Sequence, residues 1–467
     1  MIVVLDLETT WLNAKKDKII EIALVKFDEK TFDVIDEYST LINPEIHIPE
    51  LNSSITNIYD IDVSNSPLWW DIREKISEFI WECPVLWHNV YFDTGFLEEK
   101  WITLEDNIIL DTFLMANFLV IGEKSLSLEY LCKHFWIKFS WAHRALNDTK
   151  ATLYLYEKLI KKIQKLPLKN TKILYYLLNN SSDIGLHYIL DTYFLKESTC
   201  TKEEDFVVCL EEIFPKTKKY EKIHTKDISI EKEMSTFFES WKLEWRENQK
   251  LMSKIIQDTI DWEKFSLIEA PTGIWKTFAY LLPSILHSLN TWEQIFVSTS
   301  TKALQDRIYF KDQKFLQKNL PHTFSYSKLK GKRNYIWLSS FINFISQEEK
   351  YSIQRASFMC KITTWLSKTA NGELDELDYY GQEFLFIREI NADDAFTFSS
   401  DNNYEDREFA IRARRQAKKT NVVVINNNIL FQDIDGDNSI LSKVENLIID
   451  EAHNLEDVVT KSLQKSY

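Results

Sequence analysis

Three blocks of β-branched and apolar residues open the chain, at Ile2–Leu7, Ile19–Phe27 and Val34–Ile42. Short runs of this kind predict a strand meander. The apolar positions then switch to a helical period near 68–81, 92–100, 112–119, 126–135 and 145–163. The last helix runs into a lysine-rich stretch with Pro167, which predicts a domain end. Residues 1–165 therefore read as one compact α/β domain. Residues 166–235 are mostly helical in pattern, with no recognisable chemistry, and read as a helical linker region. From 236 to 467, short apolar strands at Ile295–Ser298, Val422–Ile425 and Leu447–Ile449 alternate with helices, which predicts a parallel sheet. Inside that second α/β unit, about 310–420 is polar and aromatic and reads as an insertion. No repeat of fixed period and no long low-complexity tract interrupts the pattern.

With 45% hydrophobic and 27% charged residues, the composition is that of an ordinary soluble globular protein. No apolar run approaches the roughly 20 residues needed to span a bilayer, so no membrane partner is expected. Met1 leads straight into Ile-Val-Val-Leu-Asp, a strand rather than a signal peptide. Five scattered cysteines (Cys83, Cys132, Cys200, Cys209, Cys360) form no Cys-x-x-Cys pair. They support neither a disulfide framework nor a zinc ribbon, and a reducing cytoplasm fits best. The net charge of −15 argues against a generally basic nucleic-acid binder. Basic stretches at Lys158–Lys172, Lys328–Arg333 and Arg407–Lys419 each read as a solvated helix face or loop.

Candidate chemistry concentrates in the first domain. Asp6 and Glu8 end the first strand, and residues two apart on a strand share a face. Two acids on one face repel unless a cation lies between them. Asp93 follows in His88-Asn89-Val90-Tyr91-Phe92-Asp93, at a strand-to-helix junction. Then comes His143-Arg144-Ala145-Leu146-Asn147-Asp148, with the histidine five residues before an acid that opens a helix. Four carboxylates and a histidine suit hydrolysis with two divalent ions, Mg²⁺ or Mn²⁺, and a histidine as general base. Jointly and in this order, these residues resemble the DnaQ-like exonucleases of the DEDDh group over about residues 1–163. The resemblance implies an RNase H-like fold and 3′→5′ exonuclease activity. It also implies metal binding by Asp6, Glu8, Asp93 and Asp148, with His143 as the base. Trp11, Trp87 and Trp141 stand where that family has glycine or a small residue.

The second unit carries nucleotide motifs. Ala270-Pro271-Thr272-Gly273-Ile274-Trp275-Lys276-Thr277 matches a phosphate loop except at Trp275. In such a loop backbone N–H groups cradle phosphates, the lysine reaches them, and the threonine hydroxyl holds Mg²⁺. Downstream, Leu447–Ile449 leads into Asp450-Glu451-Ala452-His453, in which Asp450 would orient Mg²⁺ and Glu451 activate water. Arg246 and Gln249 look like an adenine-reading motif, and Ser298–Gln305 like a segment that touches single-stranded DNA. With Lys330–Tyr335 and Val424–Asn428, these stretches resemble the DinG branch of XPD-like superfamily 2 helicases, in the form that carries an N-terminal exonuclease. That implies a RecA-like P-loop domain binding ATP and Mg²⁺. Only Cys360 lies between the two ATPase motifs, which excludes a four-cysteine iron–sulfur cluster, and 14 residues follow His453, too few for a second RecA-like domain. Asp433-Ile434-Asp435-Gly436-Asp437 hints at a calcium loop, but lacks the EF-hand glycine register and terminal glutamate, and reads as a turn.

Glycine is scarce, 8 residues, where roughly 33 would be usual for this length. Tryptophan is abundant, at 15. Trp11, Trp101, Trp136 and Trp275 stand where a backbone ordinarily needs glycine, whereas Trp69 and Trp365 occupy positions suited to a large apolar residue. We read many of these codons as UGA, decoded as glycine in the source organism. Three functions are open to a chain of this kind. The first is an exonuclease on single-stranded DNA ends joined to a partial helicase ATP-binding domain. The second is an RNA-trimming exoribonuclease, and the third a nucleic-acid-binding module with an inert ATPase half.

Overall fold

A computed structural model describes all residues except 90, 139–143, 215–220, 226, 241–246, 271–275, 349, 393–405, 436–439, 442 and 464–467, with backbone alone at 91–93, 240, 435 and 461–463. The chain divides into two compact units. One comprises Met1–Pro215, Phe344–Ala370 and Glu376–Arg388; the other comprises Lys216–Asn343, Asn371–Asp375 and Glu389–Tyr467.

The first unit is built on a five-stranded sheet, order β3-β2-β1-β4-β5. Its strands are β1 (Ile2–Thr9), β2 (Ile19–Phe27), β3 (Val34–Leu41), β4 (Val85–Trp87) and β5 (Ile109–Asp111). β1 to β3 form the predicted antiparallel meander; β4 and β5 add in parallel. Along β1 the side chains alternate, so Val3, Leu5 and Leu7 join one core with Ile72 and Ile76 of α1 (Trp69–Ile80). The opposite face of β1 and β2 is covered by α5 (Ala145–Gln164). Between them in the chain lie α2 (Tyr91–Glu99), α3 (Thr112–Leu119) and α4 (Leu128–His134).

The segment expected to be a linker is part of this unit as far as Pro215. Helices α6 (Leu168–Asn179), α7 (Ile184–Tyr193) and α8 (Glu203–Ile213) pack on one another and on the sheet edge. Gly185 shows how close that packing is. A β-carbon there would meet the carbonyl oxygen of Ile109 at 1.9 Å, so the α7–β5 approach requires glycine. The helices after residue 165 thus pack as part of the same compact unit. Much of the expected insertion also belongs here: the helix Ile353–Leu366 packs on α3 and α6. From Arg355 to Leu366 every residue is buried, which a polar insertion would not be. At its centre Lys361 donates to Asn117 of α3 (3.0 Å) and Glu383 (2.8 Å), and Asn117 donates to Glu383 (2.8 Å).

The second unit holds a four-stranded parallel sheet, order β7-β8-β6-β9. Its strands are β6 (Ile295–Thr299), β7 (Tyr326–Lys328), β8 (Val422–Asn426) and β9 (Asn446–Ile449), three of which the sequence pattern predicts. α9 (Glu247–Asp261) packs on α10 (Lys276–Thr291), whose apolar side enters the core with β6 and β8. β7 lies inside the range assigned to the insertion, so the parallel sheet draws a strand from that range. Lys328 and Lys330, expected to be solvated, are buried. Lys328 pairs with Asp306 (2.5 Å) and Glu373 (2.8 Å), and Lys330 with Glu373 (2.7 Å) and Asp375 (2.9 Å). Two desolvated ammonium groups need that many carboxylates. Asp433 is a buried helical residue accepting from the Ile440 and Leu441 N–H groups (2.7 and 2.9 Å). Among the described residues no helix is long and apolar enough to cross a membrane.

Candidate active site

β1 delivers two of the acids. Its odd positions enter the core, which leaves Asp6 and Glu8 on the face covered by α5. Asp148 lies in the first turn of α5, where its backbone N–H bonds the Arg144 carbonyl (3.1 Å) and a carboxylate also suits the positive end of the helix. The buried Ala145 seats that turn against the sheet. Asp6, Glu8 and Asp148 thereby offer oxygens within 4.8 Å of one another, each from a half-buried side chain. Three carboxylates this close repel strongly in a partly desolvated site. The donor set is all oxygen, which fits a hard divalent cation such as Mg²⁺ or Mn²⁺.

Asp93 has its backbone in the first turn of α2, and its side chain is outside the described atoms. His143 lies outside the described residues, as does Trp141. The turn before Asp93 is nevertheless well held. Asn89 adopts a left-handed φ of 71° and donates its N–H to Asp111 (2.9 Å), which also caps α3 through the Phe113 N–H (2.8 Å). His88 bridges Thr112 (2.9 Å) and the Leu126 carbonyl (3.0 Å), and burial pushes its pKa down to about 4. It is a neutral structural histidine, not a base for catalysis near pH 7. A recess of about 460 Å³ beside this turn is lined by Asn89, Thr94, Asp111, Phe113 and Tyr380.

Sequence reasoning passed over Asp111 and Glu21. Glu21 is a single acid within the apolar run Ile19–Phe27, and it is 2% exposed. One buried carboxylate inside an apolar strand signals a required cationic partner.

In the second unit, α10 starts at Lys276, and Tyr280 one turn on donates to Asp450 (3.0 Å). Thr277 lowers the pKa of the same tyrosine, which burial pushes up. Burial raises the pKa of the Asp450 carboxyl, opposed chiefly by the Tyr280 hydrogen bond and least by the Lys276 charge. Lys276, Thr277 and Asp450 therefore gather at one end of the parallel sheet. Glu451, next to Asp450, takes a left-handed φ of 57°, a conformation that costs energy in a residue with a side chain. Gln249 is buried in α9. Arg246, Gly273 and Trp275 lie outside the described residues.

Residues 3–156 match the family RNase_T, described as Exonuclease. Over 97% of its length the chain is 28% identical to the 3′-5′ exonuclease DinG of Staphylococcus saprophyticus, covering 50% of that protein. It is 27% identical over 99% of its length to the 3′-5′ exonuclease DinG of Bacillus subtilis, covering 51% of it. The chain thus spans about half the length of the curated relatives it matches. Among solved structures, exonuclease X in complex with 5′ overhanging duplex DNA aligns with 34% of this chain and 92% of its own, at 23% identity and a TM-score of 0.29.

Proposed function

We propose that this chain, a DinG-type protein with an RNase_T exonuclease domain at its N-terminus, removes nucleotides from the 3′ ends of single-stranded DNA with the help of two divalent ions. The convergence of Asp6, Glu8 and Asp148 inside the RNase_T-matched residues carries this reading. Asp93 completes the set of acids. Bound there, Mg²⁺ or Mn²⁺ would stabilise charge developing on the phosphate and lower the pKa of water. The protein's own groups do the rest. Asp6 and Glu8, fixed on one strand, and Asp148, fixed on a helix terminus, set the position of the scissile phosphate. His143 takes the proton from the attacking water, which requires a pKa near neutrality. The buried neutral His88 keeps the Asn89 turn in place and takes no proton.

The second unit is, in this reading, a RecA-like helicase ATP-binding domain. Lys276 and Thr277 would hold phosphate and Mg²⁺, Asp450 would orient the ion, Glu451 would activate water, and Gln249 with Arg246 would read adenine. The gathering of Lys276, Thr277 and Asp450 supports this assignment.

The test is cleavage of one oligonucleotide sequence, made as single-stranded DNA and as RNA, labelled at either end, with Mg²⁺ or Mn²⁺. A 3′ label should leave at once as a mononucleotide while a 5′ label marks a shrinking ladder, with DNA cut faster. Shortening from the 5′ end, or no cleavage with either ion, contradicts the proposal. Faster cleavage of RNA would make the chain an exoribonuclease.

A further inference from the structure

Glu8 of β1 stands directly opposite Glu21 of β2 in the antiparallel register. Directly paired residues point to the same face, and like charges so placed destabilise the pair. Glu21 is not a solvated acid either: its side chain is 3% exposed. Arg144 resolves this. Its Nη2 donates to one Glu21 oxygen at 3.0 Å, and its Nε reaches both oxygens at 3.3 Å. The second Glu21 oxygen accepts from the backbone N–H of Ala145, the first residue of α5, at 3.1 Å. The Glu21 carboxylate in turn raises the pKa of the guanidinium, with smaller contributions from Asp62 and Glu8.

One carboxylate therefore performs three tasks. It ties the start of α5 to β2, it fixes Arg144, and it draws a permanent positive charge to the strand pair that carries Asp6 and Glu8. Asp148 follows Ala145 by three residues on the same helix, so a shift at the Ala145 N–H moves Asp148 against Asp6 and Glu8. A fork-shaped guanidinium suits this place, because a lysine could not span both oxygens.

We propose that Glu21 and Arg144 are positioning residues for the exonuclease centre: their bidentate pair sets the separation of Asp148 from Asp6 and Glu8. This rests on the reading of that centre as an exonuclease. The experiment compares Glu21→Gln, Arg144→Lys and the double variant with the parent for kcat, KM, Mn²⁺ binding and melting temperature. Glu21→Gln should lower kcat roughly 10–100-fold, the range for groups that orient metal ligands. KM for the oligonucleotide should stay near that of the parent. Arg144→Lys keeps the charge but loses the fork, and should lower kcat by less. The double variant should be no worse than the worse single one, because the two residues act as one device. A lower melting temperature with parental kcat and Mn²⁺ affinity would reduce the pair to a structural role and overturn the proposal. Should Glu21→Gln fail to fold, Arg144→Lys at the half-exposed partner decides in the same way. An inactive parent would refute the exonuclease reading instead, and Mn²⁺ binding by the variants would still report on the clamp.

A second observation stands independently. Among the described residues, eleven non-glycine residues have positive φ, and four of them are tryptophan, although tryptophan supplies only 15 of 467 positions. They are Trp81 (φ 35°), Trp101 (65°), Trp136 (56°) and Trp292 (68°), and each follows a helix. At Trp101 the N–H bonds the Glu98 carbonyl while Ile102 bonds that of Leu97. At Trp136 the N–H bonds Lys133 while Ile137 bonds Cys132. Both are Schellman caps, whose left-handed position is ordinarily glycine. The indoles gain little in return, being 69%, 75%, 92% and 51% exposed in chain order. Trp292 alone of these four stacks on a ring, that of His224. Trp69 and Trp365 contrast with them: they are 7% and 2% exposed and donate their indole N–H to the Lys100 carbonyl and to Glu376.

The geometry points to glycine at 81, 101, 136 and 292 in the protein as its source organism makes it, and to tryptophan at 69 and 365. Peptide mass spectrometry of the native protein should find the glycine mass at the first four positions and the tryptophan mass at the other two, with UGA codons at the first set and UGG at the second. Tryptophan in the native peptide at any of the four overturns the reading for that helix end. Glycine at 69 or 365 overturns the sorting by burial.

Discussion

Asp148, in the first turn of α5, brings its carboxylate within 4.8 Å of Asp6 on β1, although a whole domain of chain separates them. The contact follows from one packing decision: α5 covers the face of β1 and β2 on which the even-numbered residues of β1 stand. A site made this way depends on charge as much as on shape. Each acid is held close to others that repel it, and a divalent ion removes the repulsion.

Replacing Asp6 or Asp148 by Asn keeps the volume and removes one anionic ligand. The lost charge stabilisation amounts to several kcal/mol, so turnover should fall by roughly a thousandfold or more. Steady-state rates on a 3′-labelled oligonucleotide check this, and a variant within tenfold of the parent would remove that acid from the site.

His143→Ala should leave metal binding near the parental level and cut kcat by roughly 10²–10⁴-fold. The acid limb of the pH–rate profile should disappear with it, since that limb reports deprotonation of the base. A variant profile that keeps the limb places the base elsewhere.

His88 supplies a pH test of stability. Its folded pKa is about 4 against an ordinary 6.5. A depressed pKa means that the folded state holds the neutral form. The contribution is therefore complete above pH 6.5 and is lost as pH falls toward 4. Between pH 6.5 and 5 the loss is about 2 kcal/mol. Melting curves at pH 7 and 5 should show a larger drop for the parent than for His88→Gln, which cannot acquire the proton; equal drops would contradict the assignment.

The buried set Lys361, Asn117 and Glu383 gives a second stability test. Lys361→Met leaves the Glu383 carboxylate buried without its cation, and breaking such a pair costs roughly 3–5 kcal/mol. Urea denaturation should register that loss for the first unit, and a change below about 1 kcal/mol would show the site to be wetter than the structure has it.

These tests fall on features of unequal legibility in the sequence. β1 to β3 and α5 could be read directly, because alternation and helical period are local properties. Asp6, Glu8 and Asp148 could be picked out for the same reason: each sits on a readable element. β4 and β5 are three residues each, too short for periodicity to register. The packing of the helix Ile353–Leu366 on the first unit is not legible in the sequence, because an apolar helix says that it is enclosed, not by what. Its partners, Asn117 and Glu383, lie far away in the chain on one side and near on the other. Lys328 and Lys330 looked solvated because a run of charges carries no mark of the carboxylates that fold over it. Glu21 could have been found, since an acid enclosed by apolar strand residues must have a partner.

Position 275 links the tryptophan question to nucleotide binding. A phosphate loop works by close approach of its backbone to the phosphates, and an indole before Lys276 would fill that space. The chain carrying Trp275 should show no calorimetric ATP binding, and Trp275→Gly should bind ATP with Mg²⁺. Tight binding by the Trp275 form would remove the steric argument.

Mn²⁺ binding to the first unit's acids tests the account at its centre. Titrating the metal-free parent, Asp6→Asn and Asp148→Asn with Mn²⁺, with folding checked by circular dichroism, should give saturable binding for the parent and loss of binding in both folded variants. Equal Mn²⁺ affinity in all three would mean that Asp6 and Asp148 do not share an ion, and the exonuclease reading would lose its basis.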